Sequence, residues 1–199
     1  DAALAALFFT ARPFPQSDGR VLTMGWSVIK RAVLEVGGTT EADYRSAYHR
    51  FADAGDAAEA LLNGRTSSAG LTLAAIATLF VGIAAARGPA AKLDLFEAAL
   101  RRLSALEAKY LVKIVTSDLR IGLKEGLVEE AIAAAAGQPI AAVREANMLS
   151  GDIAEVARTA LSPGLAGADG ERLAAIQLRV FHPLQFMLAS PEPTAAAIL

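Results

Sequence analysis

Apolar residues along this chain recur at three- and four-residue spacing, and no run of alternating β-branched residues interrupts them, so the pattern predicts helices throughout. The clearest stretch is 105–124, where Leu106, Tyr110, Leu111, Ile114 and Val115 mark one inward face. Lys109 and Lys113, four residues apart, share a different face. Gly122 is expected to stop this helix, and a new helical pattern opens at Glu125.

The same reading orders the rest of the chain. A short apolar helix over 1–9 ends at Arg12-Pro-Phe-Pro15, because proline forces the residue before it out of helical geometry. A helix over 21–36 stops at Gly37-Gly38, and Thr40, followed by Glu41 and Asp43, is expected to cap the next, to about Phe51. A short helix follows Gly55-Asp56, and 63–70 is a polar loop. Residues 71–87 read as a buried helix closed by Gly88-Pro89, and 90–103 as a long helix, with Ser104 capping the central one. Beyond the break, helices are expected over 125–136, from Pro139 to about Met148, and from the cap Asp152 to Ala160. Residues 162–170 read as a loop, 171–178 as at most two turns, and 182–199 as an extended tail or linker. The domain division is therefore a helical domain over 1–181 and a tail from 182.

Composition narrows the class to all-α. Hydrophobic residues form 54% of the 199, which excludes a disordered chain, and aromatics only 6%, which favours Ala- and Leu-rich helices over sheet. With no cysteine, disulfides and thiolate metal sites are excluded, and a reducing cytoplasm is the plainer setting. The longest uncharged stretch, 71–86, falls short of the roughly 18–20 residues that span a bilayer. No membrane association is expected. The first residue is Asp1 and the last stretch is interrupted by Pro191 and Pro193, which reads as a piece of a longer protein.

Charge adds the one local anomaly. Between Arg101 and Lys124 stand six basic residues (Arg101, Arg102, Lys109, Lys113, Arg120, Lys124) against Glu107 and Asp118, in a chain of net charge -2. Gly122 allows close backbone approach, Arg120 and Lys124 flank it, and the following helix offers its N-terminal amides, which together suit a phosphate. Catalysis has little to stand on: the two histidines, His49 and His182, are isolated, and neither catalytic nor metal-ligating residues are assigned. Lys92-Leu-Asp-Leu95 nearly spells a lysyl-adenylate nucleophile motif, but Leu95 stands where glycine is needed and the stretch is helical, so Lys92 reads as solvated or phosphate-facing.

Glu107-Ala-Lys-Tyr-Leu-Val-Lys-Ile-Val-Thr-Ser-Asp-Leu-Arg-Ile-Gly-Leu123 resembles the signature segment of the N-terminal DNA-binding domain of ATP-dependent DNA ligases. Gly55-Asp56, Leu71-Thr-Leu73, Gly88 and Val128-Glu-Glu-Ala-Ile-Ala-Ala-Ala-Ala136 agree in order. His182-Pro-Leu-Gln-Phe-Met-Leu-Ala189 is similar to the stretch leading into the adenylation domain, with Phe186 replacing the usual proline. The resemblance implies a compact multi-helix domain that clamps nicked duplex DNA across the minor groove, through phosphates, for replication, repair or recombination. Adenylation and OB-fold domains of the same parent would use ATP and Mg²⁺ to seal the nick, while this part holds no cofactor, is inactive alone and acts as a monomer. It places Arg120, Gly122 and Lys124 at the DNA face, with Ser117, Lys113 and Lys92 as further contacts. Geometry adds residues 37–40 as a second contact through a helix N-terminus. Two other readings stand beside it: a helical interaction scaffold, and a small enzyme gripping an anionic metabolite.

Overall fold

A computed structural model describes residues 1–162 and 169–180. Among the described residues there are eleven helices and no strand: α1 Ala2–Phe9, α2 Trp26–Gly37, α3 Glu41–Phe51, α4 Ala54–Leu62, α5 Leu73–Ala85, α6 Gly88–Leu100, α7 Ala105–Val115, α8 Glu125–Ala136, α9 Ile140–Ser150, α10 Ile153–Ala160 and α11 Asp169–Ala174. The all-α expectation holds. The tail expected from residue 182 lies outside the described residues, as does most of the loop expected over 162–170.

Local chemistry explains most boundaries. Thr40 and Ser104 each close a capping box, with Asp43 and Glu107 returning the bond to the cap amide. Asp53, Thr72 and Asp152 cap α4, α5 and α10 through their side-chain oxygens. Gly38, Gly137 and Gly151 end α2, α8 and α9 in the left-handed conformation.

Packing divides the helices into two groups. In the first, α4 lies against α7 and α3, and α2 and α5 lie against α6. In the second, α8, α9, α10 and α11 pack on one another. The opening helix α1 joins them: it lies on α10 and also reaches α5 and α8, with Phe8 meeting Phe80 edge to face at 5.5 Å. Leu62, Phe80, Ile83, Phe96, Leu100 and Val112 are fully buried, each contributing about 1.5–3 kcal/mol on burial.

Three elements differ from their expected form. The helix expected from residue 21 starts at Trp26: the Lys92 ammonium takes the carbonyls of Leu22 (2.5 Å) and Thr23 (3.3 Å), and Thr23 turns at φ 45, outside helical geometry. The apolar stretch over 71–87 is not a wholly buried helix: only Phe80 and Ile83 of α5 are buried, since it packs chiefly on α6 and α1. The third is α7, which ends at Val115 rather than at Gly122. Thr116 turns its hydroxyl back to the Val112 carbonyl (2.9 Å), and the Asp118 amide reaches the Lys113 carbonyl (2.9 Å). Ser117 makes that turn at φ 56, a place glycine usually takes, so nothing in the sequence announced the stop.

Candidate nucleic-acid interface

Residues 116–124 leave α7 and enter α8 as a loop pinned at two apolar points. Leu119 is buried, and Leu123 packs against the core. The residues between them are driven outward: Arg120, Ile121 and Gly122 are exposed. Three of the nine adopt positive φ, Ser117 at 56, Arg120 at 48 and Gly122 at 73. For Ser117 and Arg120 that conformation costs of order 1 kcal/mol each, held by the surrounding contacts. Nothing lies within 4 Å of a Cβ built on Gly122, so its backbone stands open to a partner.

The Arg120 guanidinium is aimed by three groups. Its Nε donates to Asp118 Oδ2 at 2.7 Å, its Nη1 to the Ala52 carbonyl at 2.6 Å, and Asp53 Oδ2 lies 3.8 Å from Nε. The Asp118 hydrogen bond raises its already high pKa, so it is a fixed cation. About half of its side chain remains exposed. Lys124 stands at the N-cap of α8, exposed, and its ammonium makes no ion pair among the described residues. Glu125, the first residue of α8, is drawn aside by Asn147 Nδ2 (3.0 Å) and by Arg12 (3.3 Å). Ser117 is exposed and borders a cleft of about 340 Å³ with Phe14, Arg20 and Thr23.

Lys113 and Lys92 are not brought to this face. Lys113 is buried between α4 and α7, its ammonium 2.6 Å from Asp53 Oδ2 and 3.3 Å from Asp56 Oδ2. A buried ammonium with two carboxylate partners is not available to a phosphate. Lys92, also buried, is spent on the Leu22 and Thr23 carbonyls, so it is neither solvated nor phosphate-facing. Lys109 is likewise paired, with Asp56 at 2.6 Å and Glu59 at 2.9 Å. The local excess of positive charge is therefore neutralised in large part from α4.

The loop at 37–40 does not form the second contact expected of it. Its helix N-terminus is filled by the Thr40 hydroxyl and the Asp43 carboxylate, and Glu41 in the first turn pairs with Lys30. Those acids repel a phosphate there. The inward face of α7 is also rotated from the expected one: Leu106 and Tyr110 are 53% and 39% exposed, while Ala108 and Val112 are fully buried.

Sequence reasoning missed Ala52 and Asp53. Ala52 closes α3 at φ 50, and Asp53 caps α4 while holding Lys113. Burial pushes the Asp53 carboxyl up, but the hydrogen bonds from Lys113 and from the Asp56 amide outweigh it and hold the group below the ordinary aspartate value. Gly55 makes this possible: a Cβ there would sit 2.6 Å from Lys113 Cγ and 2.8 Å from the Lys109 carbonyl. Among the described residues no three His, Cys, Asp or Glu side chains gather to hold a metal ion, and no helix is long and apolar enough to cross a membrane.

Comparison with known proteins gives the family of this helical chain. Residues 1–133 match the family described as DNA ligase N terminus, and the chain belongs to that family. It is 55% identical to a "Probable DNA ligase" of Opitutus terrae, with all of this chain covered but 22% of that protein. It is 46% identical to one from Koribacter versatilis, covering 98% of this chain and 33% of that protein. A DNA ligase of Methanopyrus kandleri is 35% identical, with 92% and 34% covered. The chain thus spans between about a fifth and a third of the length of these relatives.

Proposed function

We propose that this chain is the DNA-gripping domain of an ATP-dependent DNA ligase, holding nicked duplex through its phosphates across the minor groove. The observation that carries the reading is the 116–124 loop. Arg120 and Lys124 project from it on either side of an open Gly122 backbone, directly before the N-terminus of α8. Arg120 supplies a fixed positive charge and the N–H donors that Asp118 and Ala52 leave open, Lys124 a point charge, and Gly122 a close approach. Ser117, on the same loop, adds a hydroxyl donor. Such contacts read no bases, so the grip is independent of sequence and leaves the chemistry to other parts of the parent. In this proposal those parts are an adenylation domain and an OB-fold domain, which use ATP and Mg²⁺ to seal the nick. The domain acts as a monomer on cytoplasmic DNA in replication, repair or recombination. Support comes from membership of the DNA ligase N terminus family and from the names of the relatives.

The test is fluorescence anisotropy of a labelled nicked duplex from low to moderate salt. The expected result is binding whose logarithm falls linearly with the logarithm of salt, with a slope of several released counterions. Absence of binding at low salt would overturn the proposal.

A further inference from the structure

Beside the loop lies a cleft of about 360 Å³ whose aromatic wall phosphate gripping does not use. One wall is aromatic, made by Trp26 at the start of α2 and Tyr48 of α3. Their ring centroids lie 5.8 Å apart in an edge-to-face arrangement, and Tyr44, buried behind them, meets Trp26 at 5.9 Å and stacks on Tyr48 at 6.4 Å. Tyr44 makes the wall rigid, yet Trp26 and Tyr48 remain 43% exposed each, unusually open for rings of this size. The facing wall is Thr116, Asp118 and Arg120, and the floor is the corner between α3 and α4, Ala52 to Gly55.

Two carboxylates, Asp53 and Asp118, and one guanidinium, Arg120, line the cleft, with the buried Lys113 behind its floor. Arg120 is matched by Asp118, and Asp53 by Lys113. A phosphate entering the cleft would meet the two carboxylates, whereas a flat uncharged group gains the ring faces. Its polar edge would meet the Asp118 carboxylate as acceptor and the Thr116 side chain. An uncharged aromatic ring with N–H donors on its edge is a nucleobase. The cleft shares Arg120 with the phosphate-gripping loop, so a base displaced from nucleic acid held there has its own backbone close by.

We infer that the Trp26–Tyr48 cleft seats an unpaired nucleobase of the DNA that the loop grips, by stacking. This rests on the DNA-gripping reading of the same loop. Trp26 is the sole tryptophan, so its emission reports the cleft directly. The experiment titrates the chain with a short oligothymidylate and with an abasic strand of the same length and charge, following Trp26 emission. A plain nicked duplex is followed in parallel by anisotropy. The expected result is quenching by oligothymidylate and none by the abasic strand. Tyr48→Ala should weaken oligothymidylate binding about tenfold, leave the abasic strand unaffected and retain helicity by circular dichroism, and Tyr48→Phe should restore the affinity. Equal emission changes for the two strands, or equal weakening of both by Tyr48→Ala, would overturn the inference. If the nicked duplex still binds with a steep salt slope in that case, the phosphate grip stands and only the base seat falls. If no nucleic acid binds at low salt, both fall together.

Discussion

Two halves of one basic stretch meet opposite fates. Over 105–115 the lysines turn inward: Lys113 is buried on Asp53 and Asp56, and Lys109 is held by Asp56 and Glu59. Over 116–124 the chain leaves the helix, and Arg120 and Lys124 turn outward. The first half sets the distance between α4 and α7, and the second is presented to a partner. Cations close together in sequence are therefore not one patch. Those on the helix are neutralised by the helix packed against it, whereas on the loop Arg120 is paired yet about half exposed and Lys124 makes no ion pair among the described residues. Asp53 belongs to both halves, since it holds Lys113 and lies 3.8 Å from Arg120.

That contrast can be broken from the inside first. Lys113→Met leaves Asp53 buried without its cation, and a loss of about 3–5 kcal/mol in urea unfolding is expected. The double variant with Asp53→Asn should lose less than the two singles added together, a coupling that a double-mutant cycle reads out. Gly55→Ala should cost about 1–3 kcal/mol by overpacking α4 on α7, since its Cβ would meet Lys113 and the Lys109 carbonyl.

Acid should act on the inner half through Asp53. Asp53 has a folded pKa below its ordinary value of 3.8, so the folded state binds its proton less readily than the unfolded one. Its stabilisation is complete above that ordinary value and is lost as pH falls through the lowered folded value. The expected outcome is a thermal midpoint that drops below about pH 4, more steeply in the native chain than in Asp53→Asn.

On the outer half the same measurements should barely move. Arg120→Ala should change unfolding by less than about 0.5 kcal/mol, as exposed substitutions usually do. Yet it should weaken binding to nicked duplex and lower the salt slope by about one counterion. An unchanged affinity would remove Arg120 from the interface. The smallest expected effect has the opposite sign: Asp118→Asn removes the anion bound to Arg120 and should strengthen DNA binding slightly, most visibly at low salt.

Much of the helical order was legible because it rests on local chemistry. The caps at Thr40, Ser104 and Asp152 and the stop at Gly137 follow from side chains and glycine acting within one turn. The end of α7 escaped notice because Ser117 takes the left-handed position where glycine is the usual signal. Trp26 and Tyr48 escaped for another reason: they lie on different helices, and their spacing of 22 residues carries no periodic signal.

By itself the sequence determined that the chain is all-α and where most helices begin, and the resemblance of residues 107–123 marked out the stretch that includes the loop. These are properties of residues near one another along the chain, where propensity, capping and composition act. Only the tertiary structure decided which cations remain available. Lys92 and Lys113 differ from Lys124 not in their own chemistry but in what folds against them: two carbonyls over one, two carboxylates around another, and no ion-pair partner for the third among the described residues. Burial and pairing of a charge depend on neighbours that lie 57 to 70 residues away in the chain, and a single sequence does not show which of them arrive.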